Sequence, residues 1–434
     1  MLRKQFPLGQ NTVRHVSSTI TFTLVNRAPT IPILMVVPNA LTKLKVPLLK
    51  SPLHLGHATS RVNRMYNEDR YSAQVLSLPN DRTVFNFGIY DGHGGDNCSE
   101  YISTHLPSKV ERVDELCQVT AQQDKLFAAY RDNVGGYWKR WYKQKKNHVK
   151  TMKERCLDIN LRQFPELEND LPLRLPMSYL ETDYDFLLHT DNNDGGSTCT
   201  SVYLETIFSE PGDFKPVFED YYFNRNTINV LTVAHVGDTK CILVDSEGLA
   251  HPLTQPHHPS NPNENERLRR FALALFMMDS FGEERLISLA NTRAFGDVNF
   301  KEIGVSAEPE VTQLVIGDKL TIHKKLTKRE IDNYTIGGGD ESFLILCTDG
   351  VTDVLTDQEI ADIAMANFNN RGHKVATPQF CAGEVIKFVE YVGGDDNATC
   401  LIVRLNGWGK WPTIDRTGSL RQDRLDNFQP KGRS

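Results

Sequence analysis

Strand-like runs in this chain repeatedly end beside a carboxylate with small neighbours, and that arrangement restricts the fold more than any other feature of the sequence. Glu68-Asp69 leads into the run 75–78, Asp91 follows 83–90 and precedes Gly92, and Asp238 follows Gly237 after 227–235. Asp349 follows 342–347 and precedes Gly350, while Asp396 stands before Asn397 and the run 398–405. One aspartate at a strand end is an ordinary turn former. Several gathered at one end of a sheet would repel one another unless a cation neutralised them, and such hard oxygen ligands, without Cys, favour Mg2+ or Mn2+. The glycine loop 88–95 adds an imidazole, His93, two residues after Asp91. Its glycines allow close backbone approach to a ligand or a metal.

Further strand-like runs cover 197–207 and 240–244, and helix-like patterns cover 96–106, 263–277, 357–367 and 378–391. Helices cluster and do not alternate regularly with strands, which favours a layered α+β domain over a doubly wound one. Two stretches fit that core poorly. Residues 111–194 contain the basic aromatic run Tyr137-Trp138-Lys139-Arg140-Trp141-Tyr142-Lys143, which reads as an amphipathic helix with Trp138, Tyr142, Val149, Met152 and Cys156 on one face. Residues 318–341 read as an exposed loop whose Gly337-Gly338-Gly339 is a flexible joint and not a phosphate-binding loop, because no helix pattern with Lys-Ser/Thr follows.

The 434 residues are 39% hydrophobic, enough for one large core or two ordinary ones. No apolar run reaches membrane-spanning length, so no transmembrane segment is expected. Net charge is -6, yet residues 1–60 carry Arg3, Lys4, Arg14, Arg27, Lys43, Lys45 and Lys50 and no acid. The body behind this leader is therefore more acidic than the whole, which argues against nucleic-acid binding. A leader of basic, hydroxylic and scattered apolar residues has the composition of an organelle transit peptide, the alternative being a disordered basic tail. The eight cysteines are scattered without a Cys-x-x-Cys pair, so neither a disulfide framework nor a zinc site is expected.

The order of motifs adds to this reading. Arg64-x-x-x-Glu68-Asp69, Asp91-Gly92-His93-Gly94-Gly95, Gly196-Ser197-Thr198, Val236-Gly237-Asp238, Thr292-Arg293-Ala294-Phe295-Gly296-Asp297, Asp349-Gly350-Val351-Thr352-Asp353 and Asp396-Asn397-Ala398-Thr399 occur in that sequence. Together they resemble the type 2C metal-dependent Ser/Thr protein phosphatases, of the fungal mitochondrial kind, over roughly residues 56–406. The resemblance implies an αββα sandwich: two antiparallel β-sheets, flanked by helices, with a two-metal site at one edge. By it, Asp91 bridges two Mg2+ or Mn2+ ions, the Gly92 carbonyl and Glu68 serve the first, and Asp349 and Asp396 hold the second. Asp69 supports a water, and Asp238 and Asp353 match positions of a third, weaker metal. Arg64 is the implied phosphate clamp, His93 the implied general acid, and Arg293 and Asp297 are assigned to architecture.

The chemistry implied is hydrolysis of phosphoserine and phosphothreonine by a hydroxide shared between the two ions, without a phosphoenzyme. The basic leader and the resemblance together imply that 1–55 is a mitochondrial transit segment, with the matrix as destination. Phosphorylated proteins are the implied partners, mitochondrial metabolic enzymes among them, and the oligomeric state is open, with a monomer as default. Around the phosphatase domain at 56–406 we expect insertions near 111–194, 209–228 and 318–341, and a polar tail at 407–434 that is either a disordered end or a docking strap. The chain departs from the pattern at Pro256, at Thr352 and across 270–284. Rival readings are a pseudophosphatase that keeps the fold as a binding module, and a phosphatase of small molecules on the same scaffold. The retained acids argue against the first.

Overall fold

The computed structural model describes residues 18–25, 41–113, 120–135, 159, 161–164, 168–189, 195–210, 221–271, 276–278, 284–287 and 289–427. Two antiparallel sheets dominate. In the first, strands run in the order Glu310–Gly317, Thr227–Val236, Gly196–Ser209, Arg82–His93 and Arg70–Leu78, with the short Phe295–Gly296 pairing on Gly196–Ser209. In the second, the order is Leu55–Ser60, Ala398–Arg404, Phe343–Cys347, Lys240–Val244 and Ala250–Pro252.

The period-two alternation of the strands builds the layers. Along Arg82–His93, Phe85, Phe87 and Ile89 point to one face and join Val202, Leu204, Leu231 and Val233 against Leu243, Leu344, Leu346, Leu401 and Val403 of the second sheet. That cluster is the middle of the sandwich. Val84 and Tyr90 point the other way, under the helices Asn97–Arg112 and Leu171–His189, where Ile102, Leu106, Leu175 and Phe186 are buried. On the far side, Ile242, Phe343, Ile345 and Ile402 meet the helices Asp357–Arg371 and Pro378–Tyr391 through Ile360, Ala364, Val385 and Val389. Each fully buried aliphatic or aromatic side chain in these layers contributes about 1.5–3 kcal/mol. The expected αββα sandwich is the observed fold.

The core extends into segments that read from sequence as peripheral. In the described part of 111–194, Leu171–His189 lies on Asn97–Arg112 with Leu175, Met177, Tyr179 and Leu180 fully buried. The aromatic run 137–143 and its continuation to 156 lie outside the described residues. Near the start, Thr19–Val25 and Leu41–Pro47 form a hairpin, Leu48 donates its N–H to the Ser18 carbonyl at 2.7 Å, and Ile20 and Leu48 are buried among the middle-layer residues. The described part of 1–55 thus packs on the domain; residues 1–17 and 26–40 lie outside the described set. Around 209–228, Tyr221 and Tyr222 are buried edge-on against Phe85.

Residues 318–341 are not a loop. They form two short helices, Lys319–Lys325 and Lys328–Tyr334, the first capped by Asp318 and the second by a Thr327–Glu330 capping box. Nor do the three following glycines form a slack joint: all have positive φ, and a Cβ on Gly339 would lie 2.8 Å from the Lys319 Cα. The helical pattern at 263–277 stops at Phe271, and Phe276–Met278 instead pairs with Glu284–Leu286. An omitted strand, Glu310–Gly317, forms an edge of the first sheet. In the described part of the tail, Trp408 and Trp411 pack edge-on against Phe343 and Phe368, and Arg424 bonds Glu359 at 2.7 Å. No helix among the described residues is long and apolar enough to cross a membrane.

Candidate active site

Three strand ends deliver the acids to one edge of the sandwich. Asp91 lies in the last turn of residues of Arg82–His93, a central strand paired on both sides, opposite Thr198. Asp238 sits in the short turn by which the chain leaves the first sheet and enters the second. Asp349 follows Phe343–Cys347 directly and opens the helical turn Asp349–Thr352. Ligand oxygens of Asp91, Asp238 and Asp349 all lie within 4.8 Å of one another.

The electrostatics follow from that crowding. Burial, then the charges of Asp349, Asp69 and Asp238, push the Asp91 carboxyl well above the usual carboxylate range. Asp349 is pushed up to about 8 by burial and by Asp238, Asp353 and Asp396. Burial would raise Asp238 as well, but the hydrogen bond and charge of His258, with a bond from Asn291, hold it below its ordinary value. His258 Nε2 lies 3.2 Å from Asp238 Oδ2 and Asn291 Nδ2 donates to the same oxygen at 2.9 Å.

Asp69 is buried beside them, raised to about 6 chiefly by desolvation. Its Oδ2 accepts from Thr399 Oγ1 at 2.6 Å and from Thr348 Oγ1 at 3.0 Å, while Oδ1 has no hydrogen-bond partner among the described residues. An orphaned, buried carboxylate oxygen next to three clustered carboxylates is a donor set suited to hard divalent cations, since it offers only oxygen. The residues present therefore fit Mg2+ or Mn2+.

The remaining acids are less concentrated. Glu68 Oε1 accepts the Gly95 N–H at 2.8 Å, and Ser99 Oγ donates to the Glu68 carbonyl. Gly92 is buried beneath them. Asp353 is exposed, one helical turn after Asp349, whose carbonyl accepts its N–H. Asp396 is turned to Arg64, with Nη2 2.5 Å from Oδ2 and both side chains substantially exposed. Asp238 is thus grouped with Asp91 and Asp349, while Asp396 pairs with Arg64 and still adds its charge to those acting on Asp349 and Asp69.

His93 is partnered. Its Nε2 lies 2.9 Å from Asp297 Oδ2 and 3.1 Å from Oδ1. Burial lowers the imidazole pKa, but the hydrogen bond and charge of Asp297, with Asp238 and Glu68, outweigh it and leave the imidazole above its ordinary value. Asp297 is 5% exposed and holds a left-handed backbone with φ 51°. The pair needs Gly196: a Cβ there would run into Asp297 Oδ2 and stand 2.7 Å from His93 Nε2. Asp297 therefore touches a functional side chain, contrary to its assignment as architecture. Arg293 keeps that assignment, bonding Glu264 at 2.6 Å and the Glu308 carbonyl at 2.9 Å. Sequence reasoning also missed His258, Asn291, Thr348 and Thr399 as partners of the acids; Thr399 ends a quoted motif, Asn291 and Thr348 each directly precede one, and His258 stands outside them.

A helix-flanked double antiparallel sheet with clustered acids at one edge is the architecture that the motif resemblance implies. The model of the family described as Protein phosphatase 2C matches residues 115–321 and 330–398. Protein phosphatase 2C homolog 4 of Schizosaccharomyces pombe is 33% identical over 388 residues, which span 88% of this chain and 88% of that protein. Protein phosphatase 1K, mitochondrial, of Xenopus laevis is 25% identical over 357 residues, 82% of this chain and 69% of that one. Among solved structures, a sex determining protein of C. elegans aligns with a TM-score of 0.50 at 17% identity, covering 87% of this chain and 69% of its own. The chain belongs to the protein phosphatase 2C family.

Proposed function

We propose that this protein hydrolyses phosphoserine and phosphothreonine on other proteins, using divalent cations held by Asp91, Asp238 and Asp349. The observation that carries the reading is the convergence of those three carboxylates within 4.8 Å while Asp91 and Asp349 are pushed far above the carboxylate range, a cluster that calls for cationic charge. Glu68, the Gly92 carbonyl, Asp353 and Asp396 complete the acid rim, and Asp69 orients water through its free oxygen. Bound cations supply neutralising charge for phosphate oxygens and acidify water.

The chain's own groups supply the rest. Arg64, exposed at the rim, offers parallel N–H donors to the phosphate once it exchanges Asp396 for substrate. His93, hydrogen-bonded to Asp297 and with its pKa raised by it, is the donor to the departing Ser or Thr oxygen, a poor leaving group as the alkoxide. A pseudophosphatase is disfavoured, because nothing in its role would maintain so costly a set of adjacent acids. The basic, acid-free segment 1–60 and the mitochondrial relative in Xenopus support a mitochondrial location, and phosphorylated metabolic enzymes of that compartment are the substrates we propose.

The test is hydrolysis of a phosphoserine peptide by the purified full chain with Mn2+, with and without chelator. Metal-dependent release of phosphate is expected; absent or chelator-insensitive release would refute the reading. Fusing residues 1–60 to a fluorescent reporter checks the address, and diffuse cytosolic signal would remove it.

A further inference from the structure

Arg404 ends the strand Ala398–Arg404 on the side of the sandwich opposite the acids, six residues of strand rise, or roughly 20 Å, from Ala398. A cavity of about 510 Å³ opens beside it, walled by Arg225, Arg404 and Lys410, by His54, and by the rings of Phe223 and Trp408. That volume is in the range of small-molecule sites.

The two arginines of this wall meet no carboxylate among the described residues. Arg404 is half-buried, and its guanidinium reaches the Leu53 carbonyl from Nη1 at 3.5 Å. Other arginines drawn into the body are met by acids: Arg82 by Glu205 and Asp170, Arg174 by Asp170, Arg293 by Glu264. Arg404 has no carboxylate partner among the described residues, and its desolvation pulls the guanidinium below its ordinary pKa. Burial and the same guanidinium lower His54 to about 4. Arg225 is exposed and makes no hydrogen bond or ion pair among the described residues. Lys410 lies 3.5 Å from Asp340, and the acid in the wall, Asp318, is committed to capping Thr321 at 2.8 Å. The buried Tyr222 hydroxyl, also without a hydrogen-bond partner among the described residues, feels the Arg404 charge.

A half-buried cation without a counter-charge costs free energy that a bound anion would recover. Two guanidiniums can each grip a carboxylate or phosphate through paired donors, and the cationic wall concentrates anions on a protein whose overall charge is negative. The aromatic rings leave room for an organic part between the charged ends. We propose that this cavity binds a small organic anion bearing two or more negative charges, at a site separate from the acidic cluster and independent of the phosphatase reading.

The test is titration calorimetry on the full chain in metal-free buffer, with AMP, ribose 5-phosphate and succinate as probes. They separate phosphate from carboxylate recognition and show whether a ring matters. We expect at least one to bind at one per chain, to weaken by about tenfold or more in Arg404→Met and in Arg225→Gln, and to be unaffected in Asp349→Asn. Thermal unfolding supplies a second readout. Without anion, Arg404→Met should melt no lower than the parent, since an unmatched buried charge is removed, and the anion should raise Tm only where Arg404 is present. The proposal fails if none binds at about 10 mM, or if binding survives both arginine changes. It also fails if binding is lost in Asp349→Asn, or if Arg404→Met melts lower while the anion still raises its Tm.

Discussion

Asp297 presents both carboxylate oxygens to His93 Nε2, at 2.9 and 3.1 Å, across 204 residues of sequence. The pair is held from below. Asp183, fully buried on the helix Leu171–His189, accepts the Gly296 N–H at 2.8 Å and so fixes the residue before Asp297. Gly196 leaves the space in which the two side chains meet.

If Asp297 keeps His93 protonated and aimed, Asp297→Asn should lower kcat on a phosphopeptide by about tenfold or more while leaving KM nearly unchanged. An activated aryl phosphate, whose leaving group needs no proton, should be hydrolysed at close to the parent rate. Steady-state kinetics on both substrates decide it; equal losses would make Asp297 a purely structural residue.

The acids and the glycine loop were legible because each motif is local: a strand, a turn and a carboxylate lie within about ten residues. Long-range partnership was not. Nothing near Asp297 indicates that its neighbour in space is His93, and nothing near Asp396 indicates that it pairs with Arg64. Elements were lost for similar reasons. Leu171–His189 contains Pro176, which reads as a helix breaker, and tertiary burial of Leu175, Met177 and Leu180 outweighs it. Glu310–Gly317 is an edge strand, half-exposed over much of its length, so its alternation is weak.

The crowded acids should make the metal-free protein less stable than it needs to be. Asp349 has its folded-state pKa raised to about 8 against 3.8 for the free group, so it costs stability as pH rises above about 4 and reaches the full cost near pH 8. Asp349→Asn should therefore raise metal-free stability at pH 8 by on the order of 2 kcal/mol. The same change should abolish the gain in Tm that Mn2+ gives the parent. Melting curves with and without Mn2+ measure both effects, and a variant that still gains from the metal would remove Asp349 from the ligand set.

A second buried pair underlies the His93 support. Lys301 Nζ lies 2.9 Å from Asp183 Oδ2, with 1% and 0% of the side chains exposed, and Tyr130 donates to that oxygen at 2.7 Å. Removing one partner leaves an unmatched charge, so Lys301→Met should destabilise by about 3–5 kcal/mol, and Asp183→Asn with Lys301→Met together should cost less than the sum. Urea unfolding of the single and double variants supplies the cycle; additive losses would mean that the two charges do not stabilise each other.

Glu341 offers a pH test remote from the acids of the site. It is fully buried, its Oε2 accepts the Gly317 N–H at 3.0 Å, and its Oε1 has no hydrogen-bond partner among the described residues. Burial raises its carboxyl to about 8 from 4.5, with Asp340 and Asp245 adding to the shift. The folded state therefore keeps a proton that the unfolded chain releases above about pH 4.5, and this group's cost grows until about pH 8, then levels. Glu341→Gln keeps the acceptor for Gly317 and cannot ionise. At pH 8.5 the variant should exceed the parent in stability by on the order of 3 kcal/mol, and below pH 4.5 the difference should vanish. Denaturant unfolding across that range checks it: a parallel pH dependence in the two proteins would mean that Glu341 is ionised in the folded state at neutral pH.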